Sequence, residues 1–348
     1  MYMKLDDLKT SHLNRNIVFL LLILMTGCST EKEVVLNGAT MGTTYQVKLI
    51  AGYFKNTSEL KEKIDNRLQA INQSMSTYIP DSEISRFNAM QDTRKKLAVS
   101  DDFLHVMLAA RDIHEKTGGA WDGTIKPLLN LWGFGNTQKN HQVPDEAEIK
   151  KQLHRVGFEH IEIFPEGYLQ KRKHSLTLDL ASIAKGYAVD QVSDLLRASG
   201  MENFLVEIGG EVFAAGYRKE GQPWRVGINR PSTSASTTDV YRVVPLHNRA
   251  MATSGDYRIF FEADGKRFSH LIDPRTGYPV NNGVVSVSIA ADNCMLADGL
   301  ATAIMVMGRE HGMALIRSLK DVEGFLIVRE SDGEIVPYMT DDFRLLKP

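Results

Sequence analysis

The stretch FLVEIGGEVFAAGYRKEGQPWRVGI, residues 204–228, decides the fold class. It contains three short apolar runs, at 204–208, 212–216 and 224–228, that are separated by glycine-rich turns with no helix between them. Such runs, bounded by turn residues, are typical of strands. Further strands are predicted at 241–246, 257–262, 267–272 and 284–291. Because the strands come in runs and do not alternate strictly with helices, the sequence predicts an α+β fold with mixed and antiparallel sheets and packed helices.

Helices are predicted on both sides of this strand-rich region. Residues 58–77 carry apolar side chains at steps of three and four, and Ser100 can cap a helix that ends at Gly118 and Gly119. The other predicted elements are helices at 144–155, 183–198 and 294–307 with a short helix after Gly308, strands at 43–50, 160–164, 168–172 and 176–180, and a terminal hairpin that turns at 331–333.

The N-terminus has the pattern of an export signal. Basic residues precede the apolar run 17–25, which is shorter than the roughly 20 residues of a membrane span and typical of a signal peptide. The run ends in Met-Thr-Gly-Cys28, which resembles a lipobox, so Cys28 is the predicted lipidation site. We therefore expect a lipoprotein signal peptide at 1–27 and a lipidated tether at 28–36. The alternative is an uncleaved N-terminal anchor, and either one predicts a protein at the periplasmic face of the inner or outer membrane.

The composition excludes several functional classes. The chain has 348 residues and a formal net charge of −2, so it has no basic excess that would indicate a nucleic-acid partner. It has only two cysteines, Cys28 and Cys294, which excludes a disulfide framework and a C-x-x-C metal or redox site.

Short segments rich in Gly, Asp, Ser and Thr adjoin the apolar runs, and loops of this kind tend to carry functional sites. None of them matches the Walker A motif or the Rossmann fingerprint. The segments are 38–43, 76–78, 118–123, 131–135, 179–186, 207–211, 252–256, 269–277 and 297–302.

Taken in order, the motifs in these segments resemble those of the ApbE family, the FAD:protein FMN transferases. The likeness runs from about residue 37 to near residue 340. The motifs are Met-Gly-Thr at 41–43, Ser-Thr-Tyr at 76–78, Asn-Leu-Trp-Gly-Phe-Gly at 130–135, Ile-Ala-Lys-Gly-Tyr-Ala-Val-Asp at 183–190, Thr-Ser-Gly-Asp-Tyr at 253–257 and His-Leu-Ile-Asp-Pro-Arg-Thr-Gly-Tyr-Pro at 270–279.

The resemblance implies an ApbE-like, T-fold-related domain over 37–348, either a single unit or two intertwined α/β lobes. It also implies a Mg²⁺-dependent transferase that cleaves FAD, releases AMP and joins FMN through its phosphate to a threonine of a partner protein. The implied partners are subunits of periplasm-facing membrane redox complexes. Two alternatives stay open, namely a FAD pyrophosphatase that yields FMN and AMP, and a lipoprotein that binds flavin without chemistry.

Two residues are candidate Mg²⁺ ligands. Asp298 and Thr302 are four positions apart on a predicted helix, so their side chains share one face, and carboxylate and hydroxyl oxygens suit this ion. The resemblance adds the backbone carbonyl of Ser182 to the ligand set. Alternatively, Asp298 caps a helix and Thr302 bonds back to a carbonyl of its own helix.

His270 is the candidate general base. An imidazole titrates near neutral pH, and the hydroxyl group of an acceptor threonine needs help to lose its proton. The alternative is a structural histidine that bonds only Asp273 or the turn after it.

The remaining candidate residues would bind the flavin substrate. Lys185 could neutralise a phosphate or be a solvated charge, and Asp179 could hold a hydroxyl or cap a helix. The aromatic face of Tyr78 suits a planar ligand, although Tyr and Met at such positions also pack in cores. The flavin contacts that the resemblance implies are Met41, Tyr78, Ala120, Trp121, Asp122, Asp179, Lys185 and Ile272.

Overall fold

A computed structural model describes residues 31–52, 57–135, 142–231, 239–257 and 259–346. The expected signal peptide and Cys28 lie outside the described residues. Within the described ranges, no helix is long and apolar enough to cross a membrane.

Fifteen strands are found in the described residues, and eight of them form one sheet in the order β1-β2-β6-β7-β10-β13-β14-β15. Every strand pair in the described ranges is antiparallel, so the α+β fold with antiparallel sheets is confirmed and no mixed sheet is found there. The strands are β1 (Glu31–Thr40), β2 (Thr43–Gly52), β3 (Leu97–Ala98), β4 (Ile161–Phe164), β5 (Tyr168–Lys171), β6 (Phe204–Ile208), β7 (Glu211–Ala215), β8 (Trp224–Asn229), β9 (Val240–Leu246), β10 (Arg249–Gly255), β11 (Phe260–Ala263), β12 (Lys266–Ser269), β13 (Val284–Ala291), β14 (Glu323–Arg329) and β15 (Ile335–Met339).

The helices begin and end where the sequence provides capping groups. The hydroxyl of Ser100 accepts a hydrogen bond from the N–H of Phe103 at 3.3 Å, and the Asn293 side chain accepts one from the N–H of Leu296 at 2.9 Å. The helices are α1 (Thr57–Met75), α2 (Glu83–Ala89), α3 (Asp101–Lys116), α4 (Lys126–Leu131), α5 (Glu146–Leu153), α6 (Ala181–Ala198) and α7 (Cys294–Ser318).

The main sheet is covered on both faces. All eight residues of β13 are buried, and successive side chains point to opposite faces. Ile289 packs in one apolar cluster with Leu300 of α7, whereas Ala290 packs in another with Trp224 of the β8–β9 hairpin. The sheet therefore lies between a layer that contains α7 and a cover that contains the hairpin.

Helices α6 and α7 approach each other closely at Gly186. A Cβ atom at this position would lie 2.4 Å from the carbonyl oxygen of Cys294, well inside van der Waals contact. Asp190, one turn further along α6, accepts hydrogen bonds from the N–H groups of Cys294 and Met295 at 2.7 and 2.8 Å. The start of α7 is therefore held against α6, and this contact positions the residues described below.

Two of the sequence-based expectations about local structure are wrong. Residues 31–36, expected to be part of a tether, belong to β1, which pairs with β2 along its whole length. Most side chains of β1 are exposed, so the sequence there lacks the alternation of apolar residues that predicts a strand. Residues 176–180 do not form a strand, because Leu178 donates its N–H to the Asn88 side chain at 2.6 Å and Asp179 donates its N–H to the Gly123 carbonyl at 2.7 Å.

Besides β1, four elements were not predicted from the sequence, and one of them is the two-residue strand β3. Strand β10 has the sequence RAMATSG, whose small and polar residues show no clear period. Helices α2 and α4 have seven and six residues, too few to display a helical repeat of apolar positions.

Candidate active site

A cavity of about 560 Å³ opens where seven segments of the chain meet. The segments are the loop 120–122 with the start of α4, residues 179–185 at the start of α6, the β6–β7 turn, the end of β8, β10 with the residues after it, the loop 270–274 and the middle of α7. The cavity brings together ten residues that the sequence singled out, namely Ala120, Trp121, Asp122, Asp179, Ser182, Lys185, His270, Ile272, Asp298 and Thr302.

Lys185 sits at the centre of a charged cluster in this cavity. Its Nζ lies 3.1 Å from Oε1 of Glu211 and 3.7 Å from Oδ2 of Asp298. The β6–β7 turn comes close enough for these contacts because it contains Gly209, where a Cβ would lie 3.3 Å from Cδ of Lys185 and 2.9 Å from Cγ2 of Thr43. Lys185 is therefore not a solvated surface charge.

The Asp298 carboxylate lies against the first turns of α6. Its Oδ2 accepts a hydrogen bond from the N–H of Gly186 at 3.0 Å. In an α-helix this N–H points towards the carbonyl four residues earlier, which is that of Ser182. The carboxylate of Asp298 and the carbonyl of Ser182 are therefore directed at the same backbone group. Asp298 does not cap its own helix, since Asn293 does so.

Thr302 lies one turn after Asp298 on the same face of α7 and also lines the cavity. Its Oγ1 is 3.1 Å from the hydroxyl oxygen of Ser254 at the end of β10. The hydroxyl of Thr302 is therefore held by a contact across the cavity wall.

Burial changes the ionisation of the cluster. It raises the pKa of Glu211 to about 8, with the Asp298 charge as a further cause, and it also raises the pKa of Asp298. The two carboxylates hold the pKa of Lys185 above its ordinary value. Two buried acids share one ammonium group, and Oε2 of Glu211 has no hydrogen-bond partner among the described residues. A divalent cation that prefers hard oxygen ligands would fit this pair of acids, because it would favour their ionised forms.

A second group with metal-ligand chemistry lies in the described ranges, formed by His114, Asp122 and Glu159 within 4.8 Å of one another. Both oxygens of Asp122 already accept hydrogen bonds, Oδ1 from the N–H and hydroxyl of Thr124 and Oδ2 from the N–H of Phe158. These bonds give Asp122 a structural role in the loop that forms one wall of the cavity.

The imidazole of His270 has a defined tautomer. Its Nδ1 lies 3.1 Å from the carbonyl oxygen of Ile259. A carbonyl can only accept, so Nδ1 carries the proton and Nε2 has the free lone pair. Burial lowers the pKa of His270, which keeps the ring neutral at pH 7. The geometry and the charge state both suit a proton acceptor.

Trp121 and Asp179 support the start of α6 as well as lining the cavity. The indole N–H of Trp121 donates to the hydroxyl of Ser182 at 3.0 Å, and the Asp179 carboxylate accepts from the N–H of Ala181 at 3.0 Å. Asp179 is not the N-cap residue, which is Leu180 without a side-chain cap bond, although its carboxylate bonds the first residue of the helix. Its position in the cavity wall leaves the hydroxyl-binding role open. Ile272 belongs to a small apolar cluster with Trp132.

Met41 and Tyr78 do not line the cavity. Met41 occupies the turn between β1 and β2 with a positive φ of 50° and packs against the core. The side chain of Tyr78 is 79% exposed. The structure therefore separates these two predicted flavin contacts from the other ten site residues.

Sequence reasoning missed Glu211 as a site residue. The available signal was the Gly-Gly pair directly before it, because two glycines with positive φ make a tight turn that carries Glu211 back towards α6. A single sequence offers no way to see that this carboxylate would meet Lys185, which lies 26 positions earlier.

Comparison with known proteins places the chain in one family. The model of the ApbE family matches residues 41–326. A FAD:protein FMN transferase from Vibrio cholerae is 44% identical over 315 residues, with 90% of this chain and 92% of the relative covered. A FAD:protein FMN transferase from Haemophilus influenzae is 39% identical over 315 residues, with 89% of this chain and 90% of the relative covered.

Solved structures are also similar over most of the chain. The flavin transferase ApbE from Vibrio cholerae has a TM-score of 0.82 and 42% identity, with 90% of this chain and 98% of that chain covered. The Pseudomonas stutzeri flavinyl transferase ApbE in its apo form has a TM-score of 0.80 and 36% identity, with 89% and 95% covered. An ApbE protein from Thermotoga maritima has a TM-score of 0.76 and 29% identity, with 88% and 96% covered.

Proposed function

This chain belongs to the ApbE family of flavin transferases, and on that premise we propose that it is a Mg²⁺-dependent FAD:protein FMN transferase that releases AMP and links FMN to a threonine of its acceptor. The observation that carries the proposal is the meeting of Asp298, Thr302, Lys185 and the first turns of α6 in one cavity. Cleaving a pyrophosphate requires that several negative oxygens be neutralised, and this cluster has the groups to do so.

Three groups would hold the ion: the carboxylate of Asp298, the hydroxyl of Thr302 and the backbone carbonyl of Ser182. Bound there, Mg²⁺ would neutralise charge on the phosphate oxygens. Lys185 supplies a permanent cation in the same cavity, because its partners Glu211 and Asp298 keep it protonated. It would pair with a substrate phosphate in the same way.

His270 would act on the acceptor. Its Nε2 accepts the proton of the threonine hydroxyl as the hydroxyl oxygen forms a bond to the phosphorus of the FMN half of FAD. The bond between that phosphorus and the bridging oxygen breaks, and AMP leaves with the bridging oxygen. The Ile259 carbonyl stabilises the charged ring that results, since it still accepts from Nδ1.

The alternative of a FAD pyrophosphatase uses the same groups with water in place of the threonine hydroxyl. The cavity is open to solvent at its mouth, so hydrolysis is the expected side reaction when no acceptor is bound. A flavin carrier without chemistry would have no use for a buried acid pair, a lysine and an oriented histidine in one cavity.

We also propose that the enzyme is exported and lipid-anchored through Cys28, and that its acceptors are threonine-bearing subunits of periplasm-facing membrane redox complexes. The support is the lipobox-like Met-Thr-Gly-Cys28 after the apolar run 17–25. Labelling cells with a radioactive fatty acid tests the anchor, since the label should be lost in Cys28→Ser.

The direct test of the function is a mass measurement. The protein without its signal peptide is mixed with FAD, Mg²⁺ and a redox subunit that carries an acceptor threonine, and the subunit is then weighed. We expect a gain of one FMN residue that EDTA, Asp298→Ala and Thr→Ala in the acceptor each abolish. FMN and AMP without a mass gain would support the pyrophosphatase, and unchanged FAD would reject both enzymes.

A further inference from the structure

A second pocket, of about 460 Å³, lies beside the cavity and shares one wall residue with it. That residue is Tyr257, which lines both spaces. Its ring folds back over Gly255, where a Cβ would lie 2.5 Å from the tyrosine Cε1. The Thr-Ser-Gly-Asp-Tyr motif therefore builds a partition with the active-site cavity on one side and this pocket on the other.

Three arginines give the second pocket its charge. Arg230 comes from the end of β8, Arg267 from β12 and Arg329 from the end of β14, and the described lining contains no Asp or Glu. We call these three residues and the space between them the arginine pocket. The whole chain carries a net charge of −2, so this concentration of positive charge does not follow from the composition.

The guanidinium groups are only partly neutralised by the protein. Arg230 faces Asp239 at 3.5 Å, but both side chains are about half exposed, and such a pair is weak. Burial raises the pKa of Asp256, and the nearby charges of Arg267 and Arg329 oppose this shift, so this carboxylate balances part of their charge. Neither arginine forms an ion pair within 4.0 Å with a carboxylate of the described residues. Arg267 donates to the backbone carbonyl of Asp256 at 2.9 Å and its guanidinium lies 3.8 Å from the centre of the Phe260 ring, so its head group is held in place.

Arginines bind carboxylate and phosphate groups alike, but the backbone of the described lining lacks the features that are common in phosphate sites. Phosphate sites are commonly built from N–H groups at a helix N-terminus or a glycine-rich turn, and none of the described lining residues is a glycine or lies in a helix. The planar guanidinium fork matches a carboxylate with two hydrogen bonds. The rest of the wall, Pro231, Tyr241 and Ile335, offers apolar contact of the kind that a peptide segment can use.

We propose that the arginine pocket binds carboxylate side chains of the acceptor protein close to its acceptor threonine. The inference rests on the proposed function and names the chemistry of the partner, an acidic segment that runs from the arginine pocket past Tyr257 to the active-site cavity. Docking of the acid groups in the pocket would bring the neighbouring hydroxyl to the cavity that contains His270.

The test compares two acceptors and three forms of the enzyme. The acceptors are a peptide with one threonine flanked by aspartates and the same peptide with asparagines. The enzymes are wild type, the double variant Arg230→Gln with Arg329→Gln, and the charge-preserving double variant with lysine at both positions. Lys320→Gln is the matched control, because it removes an exposed cation before β14, at the strand end opposite to Arg329.

For the aspartate peptide we expect the glutamine variant to raise the acceptor KM by about tenfold or more, since charge-assisted arginine–carboxylate bonds are lost. The kcat at saturating peptide and the KM for FAD should be unchanged. The asparagine peptide should be a poor acceptor for wild type and insensitive to the variant. The lysine variant should show a smaller loss, and Lys320→Gln should behave as wild type.

Three outcomes would overturn the proposal: an unchanged KM for the aspartate peptide, an equal effect on both peptides, or a raised KM for FAD, which would assign the pocket to a nucleotide phosphate. Fluorescence anisotropy of the labelled peptides with the same enzymes reads binding without chemistry. If wild type binds the aspartate peptide in an arginine-dependent way but transfers no FMN, the proposed function fails and the pocket assignment stands. If FMN is transferred but the transfer does not depend on the arginines, the proposed function stands and the pocket assignment fails.

Discussion

At the scale of single residues, the cavity combines groups whose charge states are set by their neighbours. A carbonyl orients the imidazole of His270, and two acids keep Lys185 protonated. His270 can therefore accept a proton near neutral pH, whereas Lys185 stays charged there. Both kinds of group are needed if a hydroxyl is to attack an anionic phosphate.

His270→Asn should abolish FMN transfer while FAD binding is retained. In the wild type, protonation of His270 removes the lone pair, so kcat/KM for the acceptor should fall at acid pH. Because burial lowers the pKa of His270 below its ordinary 6.5, the midpoint of this fall should lie below pH 6.5. A pH–rate profile without such an acid limb, or an asparagine variant with near-normal transfer, would contradict the role of His270.

Glu211→Gln should weaken Mg²⁺ binding. The amide keeps the shape of the side chain but cannot ionise, so it removes one of the two acids that face Lys185 and the predicted ion site. Loss of such a supporting group commonly costs about tenfold or more in metal affinity. The measurement is the Mg²⁺ concentration for half-maximal AMP release from FAD. Glu207→Gln is the control, because its side chain bonds Gly210 in the same turn and does not line the cavity.

At the scale of secondary structure elements, the site depends on the contact between α6 and α7. Asp298 belongs to one helix, and its hydrogen-bond donor Gly186 belongs to the other. Neither helix could present the predicted ion ligands without its partner. The close approach at Gly186 is therefore a functional feature as well as a packing feature.

Gly186→Ala should separate the two helices and damage the site. The new methyl group would meet backbone atoms of α7, which cannot move aside as a flexible side chain can. We expect a loss of about 1–3 kcal/mol in the free energy of unfolding, the usual range for overpacking, together with weaker Mg²⁺ dependence of AMP release. Gly52→Ala is the matched control, since a Cβ there has open space around it. Equal stability of the two variants would show that α6 can shift without cost.

At the scale of the whole molecule, burial of acids in the core makes stability depend on pH. Burial raises the pKa of Asp190 to about 7, even though its carboxylate accepts two N–H groups at the start of α7. In the unfolded chain this group titrates near 3.8, so the folded protein binds more protons between these two pH values. Protonation of Asp190 therefore adds to the free energy of unfolding at low pH, and this contribution is lost as the pH rises towards 7.

The free energy of unfolding should therefore fall between pH 5 and pH 7, with Asp190 contributing up to about 1.4 kcal/mol per pH unit. Denaturant titrations at several pH values measure this slope. Asp190→Asn should reduce the slope, whatever its effect on absolute stability. A variant with the same slope as wild type would assign the pH dependence to other groups, such as Glu211.

The sequence by itself determined the α+β class, most strands and helices, and the chemical types in the site. Local patterns carry this information, because alternation, capping residues and glycine turns act over a few positions. Residues Asp298, Thr302 and His270 could be singled out because each has a distinctive neighbourhood along the chain, and the family follows from motifs in a fixed order.

The tertiary structure alone decided which of these residues meet. Strand β10 lies at the centre of the sheet without a pattern of its own, and β1 pairs along an exposed edge, so both depend on neighbours distant in the chain. The pairing of Glu211 with Lys185 and the grouping of Arg230, Arg267 and Arg329 join segments from separate strands and helices. Charge and burial depend on residues that are close in space but distant in sequence. A pattern that extends over one or two turns therefore cannot predict these contacts.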